Sequence, residues 1–257
     1  MPRTARTRAL AALLIFLILT VAGESAPDAP LSKGPLASSR QAILVVAEGW
    51  DSPQAELTLF EREGPGDTWR PAAAAAPALL GRSGLGWGAG FDGEANPADP
   101  RKQEGDGRAP AGVFRIGTAF GYAAGDEAAF LKLPYIASRE GWECVDDIHS
   151  AHYNRLARKF ETARPDWNSS EQMVLPDHRY RWGALIEYNA DPPRPGRGSC
   201  IFLHIWLDPS SPTSGCTALD ESSLLQILRR LRPETNPVLI QLPRHEYERH
   251  RQAWGLP

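Results

Sequence analysis

Apolar residues fall into short β-rich runs separated by turn residues, with one stretch of helical spacing near the C-terminus. Gln41 to Glu48 (QAILVVAE) and Glu56 to Glu61 (ELTLFE) flank the turn signal Asp51-Ser52-Pro53 and predict an opening antiparallel pair. Gly105-Asp106-Gly107 ahead of Pro110 to Ile116 predicts a turn entering another strand. Arg179 to Tyr188 and Ser199 to Trp206 predict two long strands parted by the breaker Asp191 to Gly196. In the second, alternation sets Cys200, Phe202, His204 and Trp206 on one face and Ile201, Leu203 and Ile205 on the other. Both faces are apolar, so the strand is expected to be central and covered on two sides. Tyr153 to Glu161 predicts a short helix. A second follows Asp220 as cap, with Leu224, Leu225, Leu228 and Leu231 on one face and Pro233 as its stop. Pro237 to Pro243 predicts a last strand, and residues 244–257 are a charged tail with no predicted element. The pattern predicts a mainly β domain with short helices.

The first residues belong to a different plan. Arg3, Arg6 and Arg8 precede an apolar run from Ala9 to Ala22, and small residues at 22–26 offer cleavage points, the mark of a Sec-type export signal over residues 1–26. That run is shorter than the ~20 residues a spanning helix needs, so no stable membrane span is expected after cleavage. Residues 27–40 read as a flexible Pro-rich leader, and residues 41–243 as one folded domain. The expected location is the periplasm, or the cell wall after secretion.

Composition narrows the partners. Lys and Arg number 28 against 31 Asp and Glu, a net charge of −3, which lacks the basic excess a nucleic-acid partner requires. Glycine and proline number 23 each in 257 residues, which favours a turn-rich β domain. Six glycines lie between Gly81 and Gly93, but the stretch lacks the Gly-Lys-[Ser/Thr] ending of a phosphate loop and reads as a plain loop.

Candidate chemistry gathers at one place. Only Cys144, Cys200 and Cys216 occur, and in an oxidising compartment an odd count leaves a thiol unpaired, with three pairings open. Cys216 stands just ahead of the helix predicted after Asp220, where a helix N-terminus would stabilise a thiolate. An eleven-residue, turn-bearing segment links it to His204 and allows imidazole to reach sulfur. Backbone N–H groups of Gly215 and Cys216 are candidates for an oxyanion hole. Cys144, Asp147, His149 and His152 have ligand-like spacing, but disulfide formation competes, and neither metal nor cofactor is expected.

His204 followed by Thr213-Ser214-Gly215-Cys216 resembles the signature of the L,D-transpeptidase catalytic domain family (YkuD-like), in which a His precedes a [Ser/Thr]-x-Gly-Cys element. Pro110-Ala-Gly-Val-Phe114 resembles that family's Thr-Pro-x-Gly-x-Phe strand, with Ala109 in place of Thr. Glu104 to Phe114, Cys144 to Asp147 with Tyr153-Asn154, and Gly198 to Trp206 are similar to an exported subgroup. Thr217 and Ala218 depart from the hydrophobic residue and Asn or Arg that commoner members carry after the Cys.

The resemblance implies a β-sandwich or mixed-sheet domain with the catalytic Cys in a loop before a helix. It implies that Cys216 attacks an L,D-peptide bond in a peptidoglycan stem, forming a thioester that passes to an amine. His204 would be the base, with Thr213, Ser214 and Gly215 shaping the site. Apart from the resemblance, Arg108, beside the glycine-rich motifs, and Trp206 are candidate substrate contacts by residue type and position. A hydrolase using the same pair, such as an L,D-carboxypeptidase, and a catalytically silent wall-binding module are the alternatives. With Cys216 kept reduced for this role, Cys144 and Cys200 are expected to form the disulfide.

Overall fold

The computed structural model describes Met1, residues 36–91 and residues 93–257, so the expected signal and most of the leader lie outside the described residues. Leu36 and Ser39 at the end of that leader are already buried. The opening hairpin forms as its turn signal predicts: β1 (Gln41–Ala47) pairs antiparallel with β2 (Gln54–Glu61), Leu44 opposite Thr58. The chain continues through β3 (Arg70–Pro71), β4 (Ala76–Leu79), β5 (Leu85–Trp87), β6 (Ala109–Gly121) and β7 (Tyr135–Ala137). Next come β8 (Trp142–Val145), β9 (Leu156–Arg158), β10 (Ser170–Gln172), β11 (Gly183–Ile186) and β12 (Phe202–Ile205). The last elements are β13 (Thr217–Leu219), helix α1 (Glu221–Leu228), β14 (Val238–Pro243) and helix α2 (Arg244–Trp254).

The main sheet runs β1-β14-β6-β11-β12-β13-β4-β2, and because β2 pairs with both β4 and β1, it closes on itself. A mixed sheet is therefore present, with β1–β14 and β12–β13 parallel, but the β-sandwich form of the expectation is corrected to a closed barrel. Closure leaves these strands few free edges and one enclosed interior. Ile43, Val45, Leu59, Leu203, Ile205, Leu219 and Leu239 fill the main core. A smaller sheet, β10-β8-β9, packs outside the barrel. Between the two sheets lies a second apolar cluster containing Phe120, Met173, Tyr180, Phe202 and all three cysteines. The alternation read from residues 200–206 is thus realised, with Leu203 and Ile205 inward and Phe202 outward.

Five other expectations are corrected. The strand starting at Ser199 begins only at Phe202, because Cys200 has φ 55°, a left-handed conformation no strand residue adopts. The strand from Arg179 shrinks to Gly183–Ile186, since the Arg181 N–H turns back onto the His178 carbonyl. Residues 153–161 form no helix: Asn154 has φ 59°, and Leu156–Arg158 pair as β9 with β8. The Gly81–Gly93 loop contains β5, parallel to β6. Residues 244–257, expected as a tail, hold α2, whose Trp254 is buried among Trp87, Phe91 and His250.

Candidate active site

β12 and β13 run side by side and parallel, with His204 opposite Ala218 and Leu203 opposite Thr217. Continuing that register places Cys216 beside Phe202, and the Phe202 N–H donates to the Cys216 sulfur at 3.3 Å. Cys216 and His204 therefore share the outer face of adjacent strands, two residues out of step, with Cα atoms about 8 Å apart from strand spacing and rise. Thr217 points the other way, into the barrel, where its hydroxyl donates to Gln241 Oε1 at 2.6 Å. A pocket of about 270 Å³ opens over the pair, and its walls include Lys102, Glu171, Tyr180 and Trp206. Thr213, Ser214 and Gly215 line it too.

The loop carrying Cys216 is held from behind. Thr213 exchanges backbone hydrogen bonds with residues 80–82: its N–H donates to the Leu80 carbonyl and its carbonyl accepts from Arg82, at 2.9 and 2.8 Å. Its side chain accepts from the Gly215 N–H at 3.0 Å and donates to the Cys216 carbonyl at 2.7 Å. Gly215 has φ 151°, and a Cβ there would come within 3.0 Å of the Arg108 carbonyl, so the close strand contact requires glycine. The glycine-rich segment backs the same loop, since a Cβ on Gly81 would lie 2.2 Å from the Gly107 carbonyl. That segment braces the loop.

The sulfur is a neutral, covered thiol. It donates to the Cys200 carbonyl at 3.4 Å while accepting from Phe202. Burial pushes its pKa well above the ordinary thiol value, with the Glu171 charge acting in the same direction. The low-pKa thiolate expected from a helix N-terminus is corrected here. β13 stands between Cys216 and α1, and the first turn of α1 is capped by Asp220, which accepts from the Ser223 N–H at 2.9 Å.

His204 is matched to this thiol. Its Nδ1 donates to the Ile205 carbonyl at 2.7 Å, which leaves Nε2 without a proton and able to act as a base. Burial lowers its pKa to about 4, so the ring is neutral at neutral pH. Tyr180 packs edge-on against it with ring centres 5.0 Å apart, fixing its plane. No hydrogen bond joins His204 to Cys216 among the described residues, as is common before substrate draws such a pair together.

Cys144 and Cys200 form the expected disulfide, S–S 2.07 Å, and Cys216 is free. Asn154 holds the strained Cys200 from below: its Oδ1 accepts from the Cys200 N–H, and its Nδ2 donates to the Tyr188 and Asn189 carbonyls. Cys144 is thus unavailable to a metal, and Asp147 instead accepts from the His149 and Asn168 backbone N–H groups. Arg108 is not brought to the pocket. Its guanidinium donates to the Trp50 and Leu85 carbonyls and pairs with Asp51 at 2.7 Å. Sequence reasoning missed Glu171 and Tyr180, which line the pocket and bond each other through the Tyr180 hydroxyl. Neither has a local pattern that marks it.

No family model and no curated protein matches the chain. Among solved structures, the helical cell shape determining protein Pgp2 from Campylobacter jejuni is similar, at 12% identity and a TM-score of 0.38 over 80% of this chain. The chain spans about half of that structure, 51% of its length. Among the described residues no helix is long and apolar enough to cross a membrane.

Proposed function

We propose that the protein is an exported cysteine acyltransferase of the L,D-transpeptidase kind, acting on peptidoglycan stem peptides outside the cytoplasm. One observation carries the reading: a reduced cysteine and an Nδ1-anchored histidine share one face of adjacent strands at one pocket, while the other two cysteines are locked together. The sequence motifs agree with it, as does the export signal expected over residues 1–26.

In this reading a stem peptide enters the pocket and displaces the cover over Cys216. His204 Nε2 takes the thiol proton as sulfur attacks the carbonyl carbon of an L,D-peptide bond, so no free thiolate has to persist beforehand. Because the Gly215 N–H is already given to Thr213, the Cys216 N–H is the remaining local donor for the oxyanion. The C–N bond breaks, the departing amine takes the proton from His204, and a thioester remains on Cys216. An incoming amine attacks that thioester, the C–S bond breaks, and the sulfur regains a proton.

Incubation with purified muropeptides tests this. Cross-linked dimers are the expected product. Shortened stems alone would make the protein a hydrolase with the same pair, and unchanged peptides that co-sediment with it would make it a wall-binding module.

A further inference from the structure

Transfer to an amine, taken from the proposed function, leaves one proton without a destination. A stem-peptide side-chain amine is an ammonium at neutral pH, since such groups titrate near 10. Before it can attack it must lose one proton, and a second leaves as the new C–N bond forms. His204 serves only the second, passing it to the sulfur as the C–S bond breaks.

We propose that Glu171 takes the first proton, and so is the base that turns an ammonium-bearing acceptor into a nucleophile. Glu171 lies on β10, outside the barrel, opposite Cys144 in the neighbouring strand. Glu171 forms part of the pocket wall shared with Cys216 and His204. It is tied in place by the Tyr180 hydroxyl, on the same ring that packs edge-on against His204. The disulfide from Cys144 to Cys200 fixes the small sheet against the loop that accepts the Cys216 thiol. A carboxylate from one sheet thus faces the nucleophile and base of the other across one cavity.

The charged and titratable neighbours suit this task. Burial pushes Glu171 up to about 7, Asp146 raises it further, and the Tyr180 bond and Arg179 oppose them. Lys102 and Glu104 complete the charged wall, but both are engaged: Lys102 pairs with Asp106 at 2.7 Å, and Glu104 accepts from Tyr153 and Ser199. A carboxyl poised near neutrality can accept a proton from the acceptor and release it to solvent after each turnover. The step balances: the ammonium and the thioester become an amide, a thiol and one proton returned to water. Water as acceptor carries no such excess proton, so the demand on Glu171 is specific to amines.

The test uses the full chain with a stem tetrapeptide donor and a second stem peptide as amine acceptor. Its readout is the ratio of transfer product to hydrolysis product between pH 5.5 and 8.5. In the wild type this ratio should climb more steeply below about pH 7 than above it. Glu171→Gln should lower the ratio at least tenfold at pH 7 and remove the break, and Glu171→Asp should recover part of it. Tyr180→Phe, which removes a donor that favours the carboxylate, should move the break to higher pH. A Glu171→Gln ratio and profile equal to wild type would overturn the assignment while leaving Cys216 chemistry intact. Absence of any acyl adduct in the wild type would instead bring down the proposed function, and this inference with it.

Discussion

The thiol of Cys216 donates to the backbone carbonyl of Cys200, a residue held by its own sulfur to Cys144. The proposed nucleophile therefore rests on a half-cystine, and the disulfide couples the small outer sheet to the reacting atom. A strained φ at Cys200 aims that carbonyl, and Asn154 secures the turn through hydrogen bonds to three backbone groups.

Replacing Cys144 and Cys200 together with serine should cost about 4 kcal/mol of stability, the chain-entropy value for a closed loop of this length. Urea unfolding should show a lower midpoint for the double variant than for wild type. The variant should also turn over more slowly once folded, because the carbonyl that orients the thiol loses its anchor. Equal midpoints would contradict the first expectation, and equal turnover the second.

His204 gives the protein a defined pH dependence. Its folded pKa is held near 4 by burial, below its ordinary value of 6.5. Between those values the unfolded chain binds a proton that the folded chain refuses, so this contribution is complete above pH 6.5 and is lost as pH falls toward 4. The loss amounts to roughly 3 kcal/mol from the size of the shift. Urea midpoints taken from pH 4 to 7 should rise with pH in the wild type, and His204→Gln should flatten much of that rise.

Cys216 should be slow, not fast, toward a small alkylating reagent. A buried thiol with raised pKa presents little thiolate, so iodoacetamide at pH 7 should modify native Cys216 at least tenfold more slowly than the unfolded chain. Peptide mass spectrometry reads this directly. Labelling faster than the unfolded control would mean a resting thiolate, and would put general-base attack by His204 in error.

What could be read from the sequence follows from where the governing contacts lie. The β1–β2 hairpin and α1 with its Asp220 cap rest on local signals, and both appear where expected. β13 has three residues, too few for a period to show, and its place is fixed by pairing with β12 and with β4, the latter more than a hundred residues earlier in the chain. Cys216 is therefore followed directly by a strand, where the sequence suggested a helix N-terminus. α2 was hidden for another reason: its buried positions are Glu246, His250 and Trp254, a four-residue spacing carried mostly by ionisable side chains. Trp87 and Phe91, which receive Trp254, lie more than a hundred residues earlier. Cys216 and His204 were legible as a pair since one strand and one short loop join them. Glu171 and Tyr180 meet only through tertiary packing, and no spacing announces them.

Cys216 is expected to become acylated through His204. Intact-mass spectrometry of the protein mixed with a stem tetrapeptide tests it most directly, with peptide mapping to locate any adduct. A mass gain equal to the tripeptide acyl group is expected on Cys216, absent in Cys216→Ala and formed at least about a hundredfold more slowly in His204→Ala, the lower end of the range for losing a general base. No adduct in the wild type under conditions where the peptide binds, or an adduct that forms equally fast without His204, would contradict it.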